Sequence, residues 1–275
     1  MALSLRQFWS IGREQRYDPW ARRSVRWFTW VFGPLGLHSR IRAGHVLNAI
    51  KGADLPQNPR ILDAGCGHGL VLFWLASHRA VSQLRGVEKS SQLAAANEAI
   101  SHQLDLPTSA TFEQGDLVTM NLGRDEFDLV VSIDVLEHID DDVHVLKKLR
   151  RALKPDGLLV LHLPLRHQQQ CRLLPGFEGH TIDSHVRDEY LPDEIESKLE
   201  VSGFQMTKLG YGFGWSGELA FELNNLFWRD PTLRAICALL TYPLAWMLAF
   251  HDVNADLQQG NSMVIEAKPQ TRKAE

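Results

Sequence analysis

Asp63 is followed by glycines at 65, 67 and 69, an order of residue types suited to holding a small charged ligand. The apolar pair Ile61-Leu62 runs into the acid, and a helical pattern opens at Leu70. Glycine has no side chain, so backbone in such a turn can approach a ligand closely. The helix that follows presents free amide groups at its N-terminus. A dinucleotide turn needs G-x-G-x-x-G; Gly65 and Gly67 fit, but Leu70 stands at the last position. Asp63 would also repel a pyrophosphate, and an acid there suits a ligand with an amino group and no phosphate. At the end of the next strand pattern, the Glu88 carboxylate can accept both hydrogen bonds of a ribose diol. Gln114-Gly115-Asp116-Leu117 ends the third.

The stretch from Ile61 to Gly69 resembles motif I of the class I S-adenosylmethionine-dependent methyltransferases. Phe127 to Ile139, with its Leu136-Glu137-His138 ending, resembles that family's fourth strand. Lys154-Pro155-Asp156-Gly157 resembles its turn before strand five. These motifs cover about residues 60–164 in the family's order, and the body is most similar to the broad group of small-molecule methyltransferases. Beyond Pro164 the resemblance is architectural only. It implies S-adenosylmethionine as cofactor, with Asp63 at the methionine moiety, Glu88 at the ribose, and Asp116 at the adenine amino group with Leu117 against the ring. The implied contact set is Asp63, Ala64, Gly65, Cys66, Gly67, Glu88, Lys89, Asp116, Leu117, Ile133, Asp134 and His138.

The chemistry so implied is O- or C-methylation by in-line displacement, in which the protein aligns the reactants and excludes water. A base is needed only if the nucleophile must lose a proton. His138, His180 and His185 are the candidate catalytic residues, and His162 and His167 lie on or near the same strand end. The loop from Pro164 to Val186 is long for a connection, which suits a functional segment. Asp134, Glu137 and His138 place two carboxylates and an imidazole within one short turn, a set that could hold a divalent metal. Some quinone-pathway methyltransferases with a similar acid-Val-Leu-Glu-His stretch use one, but Asp134 replaces their usual glutamate. The expectation is no metal, with this trio as the alternative. Other chemistry on the same cofactor fold (a cyclase or decarboxylase), or a non-catalytic scaffold that binds cofactor or membrane, are the rival readings.

Positioning these groups requires an α/β body. Strand patterns at 60–64, 83–88, 110–114, 127–133 and 158–163 alternate with helical patterns at 40–51, 70–77, 91–104 and 140–153. The run Phe127 to Ile133 suits a strand buried on both faces. A helix at 192–202 and strands at 204–210 and 263–267 complete the pattern. The expected fold is a Rossmann-like, seven-stranded, mostly parallel sheet with helices on both faces, plus helical aromatic cap segments. Residues 39–210 and 261–268 would form the core, 1–38 a basic aromatic segment, 211–260 a hydrophobic insertion, and 269–275 a flexible tail.

With 275 residues, 44% of them apolar, the chain has enough material for one large domain. Three well-separated cysteines suggest a reducing compartment and no disulfide framework. No secretory signal is evident, so the expected location is cytoplasmic, with membrane association through 1–38 or 219–250 as an added option. Residues 1–45 hold eight arginines against Glu14 and Asp18, a net of +6; the whole chain carries −4, so the remainder carries −10. Nucleic acid is therefore not the expected partner. Trp9, Trp20, Trp27 and Trp30 interleave with those arginines, as in segments that lie on anionic membranes or cap a site. Ala235 to Phe250 holds no charge but has only 16 residues, short of the roughly 20 needed to cross a bilayer, and Pro243 is expected to break it. With a helix at 219–228 it would cap the site over a small lipophilic acceptor, such as an isoprenoid, quinone, polyketide or lipid.

Overall fold

The computed structural model describes residues 2–33, 36–104, 110–165, 173–174, 186, 189–226 and 231–270, without the side chains of residues 231, 232, 234, 235 and 238. Seven strands form one sheet: β1 (Arg60–Ala64), β2 (Gln83–Glu88), β3 (Ala110–Gln114), β4 (Phe127–Ile133), β5 (Leu153–Pro164), β6 (Phe204–Gly212) and β7 (Ser262–Pro269). Their order is β3-β2-β1-β4-β5-β7-β6. The first five strands pair in parallel, while β7 runs antiparallel to both neighbours. This is the expected α/β sheet. Strand order reverses between β1 and β4, so the loops after β1, β2, β3 and β4 surround a crevice at their C-terminal ends.

Period-two side-chain alternation divides the core into two layers. Ile61, Leu129, Val131 and Val160 face one layer, and Leu62, Val130, Leu159 and Leu161 face the other. The chain opens with α1 (Leu5–Ser10), a 3₁₀ helix at Arg13–Tyr17, α2 (Arg23–Phe32) and α3 (Leu37–Gly52). The first layer is covered by α3 and α4 (Leu70–His78), with Ile100 of α5 (Ser91–Leu104). Covering the second are α6 (Asp142–Ala152) and α7 (Pro192–Val201). The insertion supplies α8 (Trp215–Asn224) and α9 (Pro231–Asn254).

Three local expectations need correction. The Lys154–Gly157 segment lies inside β5 rather than before it. Pairing with β4 jumps from Phe127↔Leu153 to Leu129↔Leu158, so these residues bulge out of a continuing strand. The helix expected at 219–228 begins earlier, at Trp215. Its first turn is capped from another helix: Asp252 of α9 accepts from Gly217 N at 3.0 Å and also from Phe213 N and His45 Nε2. No local sequence signal marks a cap supplied from so far along the chain. Finally, Pro243 does not end its helix; α9 runs 24 residues through it. Pro243 sits on the exposed face, where water can satisfy the carbonyl that its missing N–H leaves behind.

The N-terminal segment is tied to α9. Leu3, Phe8 and Ile11 are buried, and the Phe8 ring meets Trp246 and Phe250 of α9 at 5.4 and 5.6 Å. Arg40 of α3 is wholly buried. Its guanidinium donates to the Tyr242 hydroxyl, Ile11 O and Phe32 O, so one side chain joins four segments. The 3₁₀ helix in turn reaches the glycine turn, where Gln15 Nε2 donates to His68 O.

Candidate active site

Gly65, Gly67 and Gly69 all have positive φ, at 83°, 51° and 66°. At Gly65 an added Cβ would lie 2.3 Å from Val135 Cγ2, so the turn packs tightly on the segment after β4. At Gly67 it would meet nothing within 4 Å, because that residue borders open space. This space is a cavity of about 680 Å³ at the C-terminal strand ends. Every residue in the expected cofactor set lines it except Ala64, whose methyl faces the core beneath.

Asp63 ends β1 almost fully buried, and its Oδ1 has no hydrogen-bond partner. Burial, with the nearby Glu88 charge, pushes its carboxyl up to about 7. Glu88 accepts from Gly67 N at 2.9 Å and from Ser90 N at 2.8 Å, which fixes its carboxylate across the turn. Cys66 is buried; its thiol is raised by that burial and then by Asp63 and Glu88, so it stays protonated rather than acting as a nucleophile. Asp116, just after β3, also lines the cavity, held by Val118 N at 2.9 Å and by Lys89 Nζ at 3.1 Å. Those partners lower its carboxyl. Leu117 beside it is buried but borders the cavity.

Beyond Ile133 the chain turns at Asp134, a non-glycine residue at φ 49°. Its carboxylate faces Arg42 Nε at 2.7 Å and His162 Nδ1 at 2.6 Å. Burial raises this carboxyl, but Arg42, then His162, more than offset it and hold it at about 2. His162 itself is buried, and burial lowers its pKa. Glu137 is buried too; desolvation, then the Asp134 charge, push it up to about 8. Thus one turn holds an ionised carboxylate and a protonated one. His138 lies on the cavity wall with Ile139, Asp140 and Asp141. Among the described residues no three His, Cys, Asp or Glu side chains are arranged to hold a metal ion, and Asp134 turns to Arg42 and His162 instead. His180, His185 and His167 lie outside the described residues.

Sequence reasoning missed the contribution of α3, whose Ser39, Arg42 and Ala43 form one wall. Arg42 looked like one more charge in the basic N-terminal stretch. Only the packing of α3 against the sheet brings it to Asp134.

The family described as methyltransferase domain matches residues 38–209, more than half of the chain. The chain belongs to the methyltransferase domain family. Among curated proteins, the methyltransferase is 29% identical over 122 residues to a ubiquinone biosynthesis O-methyltransferase of Coxiella burnetii (strain Dugway 5J108-111), covering 42% of this chain and 50% of that one. It therefore spans about half the length of that relative. Its fold matches an S-adenosylmethionine dependent methyltransferase from Mesorhizobium loti, with TM-score 0.53, 19% identity and coverage of 82% and 97%. It also matches the [4+2]-cyclase SpnF, with TM-score 0.59, 16% identity and coverage of 83% and 82%.

S-adenosylmethionine is the cofactor of this methyltransferase, and the residues present fit it. A buried, partnerless carboxylate oxygen at Asp63 faces the cavity, the Gly67 position leaves room beside the turn, and Glu88 and Asp116 line the same cavity from the ends of neighbouring strands. Among the described residues no helix is long and apolar enough to cross a membrane.

Proposed function

We propose that the methyltransferase transfers the methyl group of S-adenosylmethionine to an oxygen or carbon of a lipophilic small molecule. The observation that carries this reading is the composition of the cavity wall. Beside the charged groups it includes Ala43, Leu70, Val71, Ile133, Val135 and Ile139, an apolar share that suits a largely hydrophobic ligand oriented by polar groups. The relative named for ubiquinone biosynthesis supports an isoprenoid or quinone-like acceptor of the same chemical class.

Bound S-adenosylmethionine supplies an electrophilic methyl group on a sulfonium, and the leaving thioether is neutral. Asp63 would hold the methionine amino group, Glu88 the ribose hydroxyls and Asp116 the adenine amino group. Ala64, Cys66 and Lys89 belong to the shell around these contacts. Packed on the turn, Val135 keeps the backbone of Gly65 in place. His138 lines the cavity beside the segment after β4, as His68 does beside the glycine turn, and the His138 imidazole would accept the proton of a hydroxyl acceptor. The apolar wall excludes water that would compete for space near the acceptor.

The test is incubation of the pure protein with S-adenosylmethionine and a panel of phenols, quinols, polyketides and small polar acids. Methylated lipophilic product, with one S-adenosylhomocysteine per turnover, is the expected result. Turnover confined to the polar acids would overturn the acceptor class. Product without S-adenosylhomocysteine would favour a non-methylating reaction such as the cyclisation carried by the same fold in SpnF. Absence of cofactor binding by calorimetry would leave only a scaffold.

A further inference from the structure

We propose that the outer faces of α2 and α9 dock the methyltransferase on an anionic lipid surface, whatever its acceptor. On α2, Arg23, Trp27 and Trp30 recur at i, i+4 and i+7 and so share one face. Trp27 is 60% exposed and Trp30 53%. The opposite side of α2 is engaged: Phe28 and Phe32 each meet the Tyr242 ring of α9 at 5.4 Å. The helix is therefore held in place while its tryptophans point outward.

Alongside it, α9 shows the same division. Tyr242, Ala245, Ala249 and Val253 are buried. On the other side Ile236, Leu240, Leu244 and Met247 form a stripe of three turns, with Leu240 76% exposed. Single exposed apolar residues are ordinary, but a contiguous row marks an interaction surface. At 24 residues, α9 is about 36 Å long, yet its buried side is part of the protein core. It can lie along a membrane but not across one.

Charge selects the occupant. The N-terminal 45 residues carry +6 while the remainder carries −10; Arg40 is buried and Arg42 faces Asp134, but Arg22 and Arg23 are exposed on this side. An anionic surface would attract the Arg22, Arg23 and tryptophan face and repel the body, which fixes orientation as well as affinity. Tryptophan suits the headgroup zone because its ring is apolar and its N–H polar. Pairing two copies through this face would bring the same arginines together, and neither outward face carries an acid among its described side chains.

Co-sedimentation of the full chain with vesicles tests this. Phosphatidylcholine vesicles would be compared with vesicles containing roughly 30% phosphatidylglycerol. Wild type is expected to bind the anionic vesicles at least about tenfold more tightly. Trp27→Ser/Trp30→Ser and Leu240→Ser/Met247→Ser should each weaken that binding by about tenfold, with S-adenosylmethionine affinity unchanged as proof of folding. Wild type that ignores anionic vesicles, or variants that bind as wild type does, would overturn the proposal. So would a dimer in sedimentation velocity that the same variants dissolve, since a second copy would then be the occupant.

Discussion

Asp63 is held in a conflict that the cofactor can relieve. Its buried carboxyl, raised to about 7, is half protonated near neutrality, and an ammonium group would favour the ionised form. Cofactor affinity should therefore rise up to tenfold per unit as pH climbs towards 7. It should fall again above about 8, where an α-ammonium itself deprotonates. Calorimetry from pH 5.5 to 9 would show this peak; a flat profile below 7 would remove Asp63 from the contact. Asp63→Ala should abolish measurable binding while the far-ultraviolet spectrum and Tm stay near wild type, because the lost carboxylate oxygen has no partner in the folded chain. Asp63, Glu88 and Asp116 were legible because each sits where a strand pattern stops. Arg42 was not, because nothing in a helical repeat tells which turn will face a sheet end ten or more residues away. The glycines divide by what surrounds them. Gly67→Ala strains only a φ of 51°, at about 1 kcal/mol, and should weaken cofactor binding more than stability. Gly65→Ala adds the clash with Val135 and should cost about 3 kcal/mol, which urea titration of the two variants would separate.

Among the elements, the parallel strands and their helices follow their apolar patterns closely, since each strand buried on both faces must be apolar and each covering helix apolar on one. Three features escaped that reading: the β5 bulge, the cap that Asp252 gives α8, and the passage of α9 through Pro243. Each depends on a partner distant in sequence or on exposure, neither of which a local window contains. The clamp at Arg40 is the plainest case, as one buried guanidinium serves α9, the Ile11 carbonyl and the end of α2. Arg40→Met keeps the bulk but leaves the Ile11 carbonyl unpaired, and it should destabilise by about 2–4 kcal/mol. Because Phe32 O retains the Tyr242 hydroxyl, the damage should be local. Limited proteolysis should then cut within residues 11–33 before the sheet is attacked; uniform digestion would mean that the clamp is not local.

For the whole molecule, the buried acids make stability depend on pH in an uncommon direction. Glu137 is raised to about 8 and Asp63 to about 7, so the folded chain holds protons that the unfolded chain has already released. Stability of the cofactor-free protein should thus decline from pH 6.5 to 8. Below 6.5 the lowered His162 acts in the opposite sense, because the unfolded chain then binds the proton more readily. Thermal scans across that window should show a falling Tm, and Glu137→Gln should flatten most of the slope; an unchanged slope would place the cause elsewhere. The long reach between the chain's two aromatic segments has a further consequence, in time rather than in space. Leu3 N bonds Asn254 Oδ1, a separation of 251 residues. At 5–20 residues per second, ribosomes would need about 12–50 s to make the helix that shelters Phe8 and Trp9. During that interval the basic, tryptophan-rich segment is outside the ribosome without α9, and its partners are limited to earlier parts of the chain such as Trp74 and His68. The order of synthesis therefore leaves the Phe8 and Trp9 faces that pack on α9 uncovered until that helix is made.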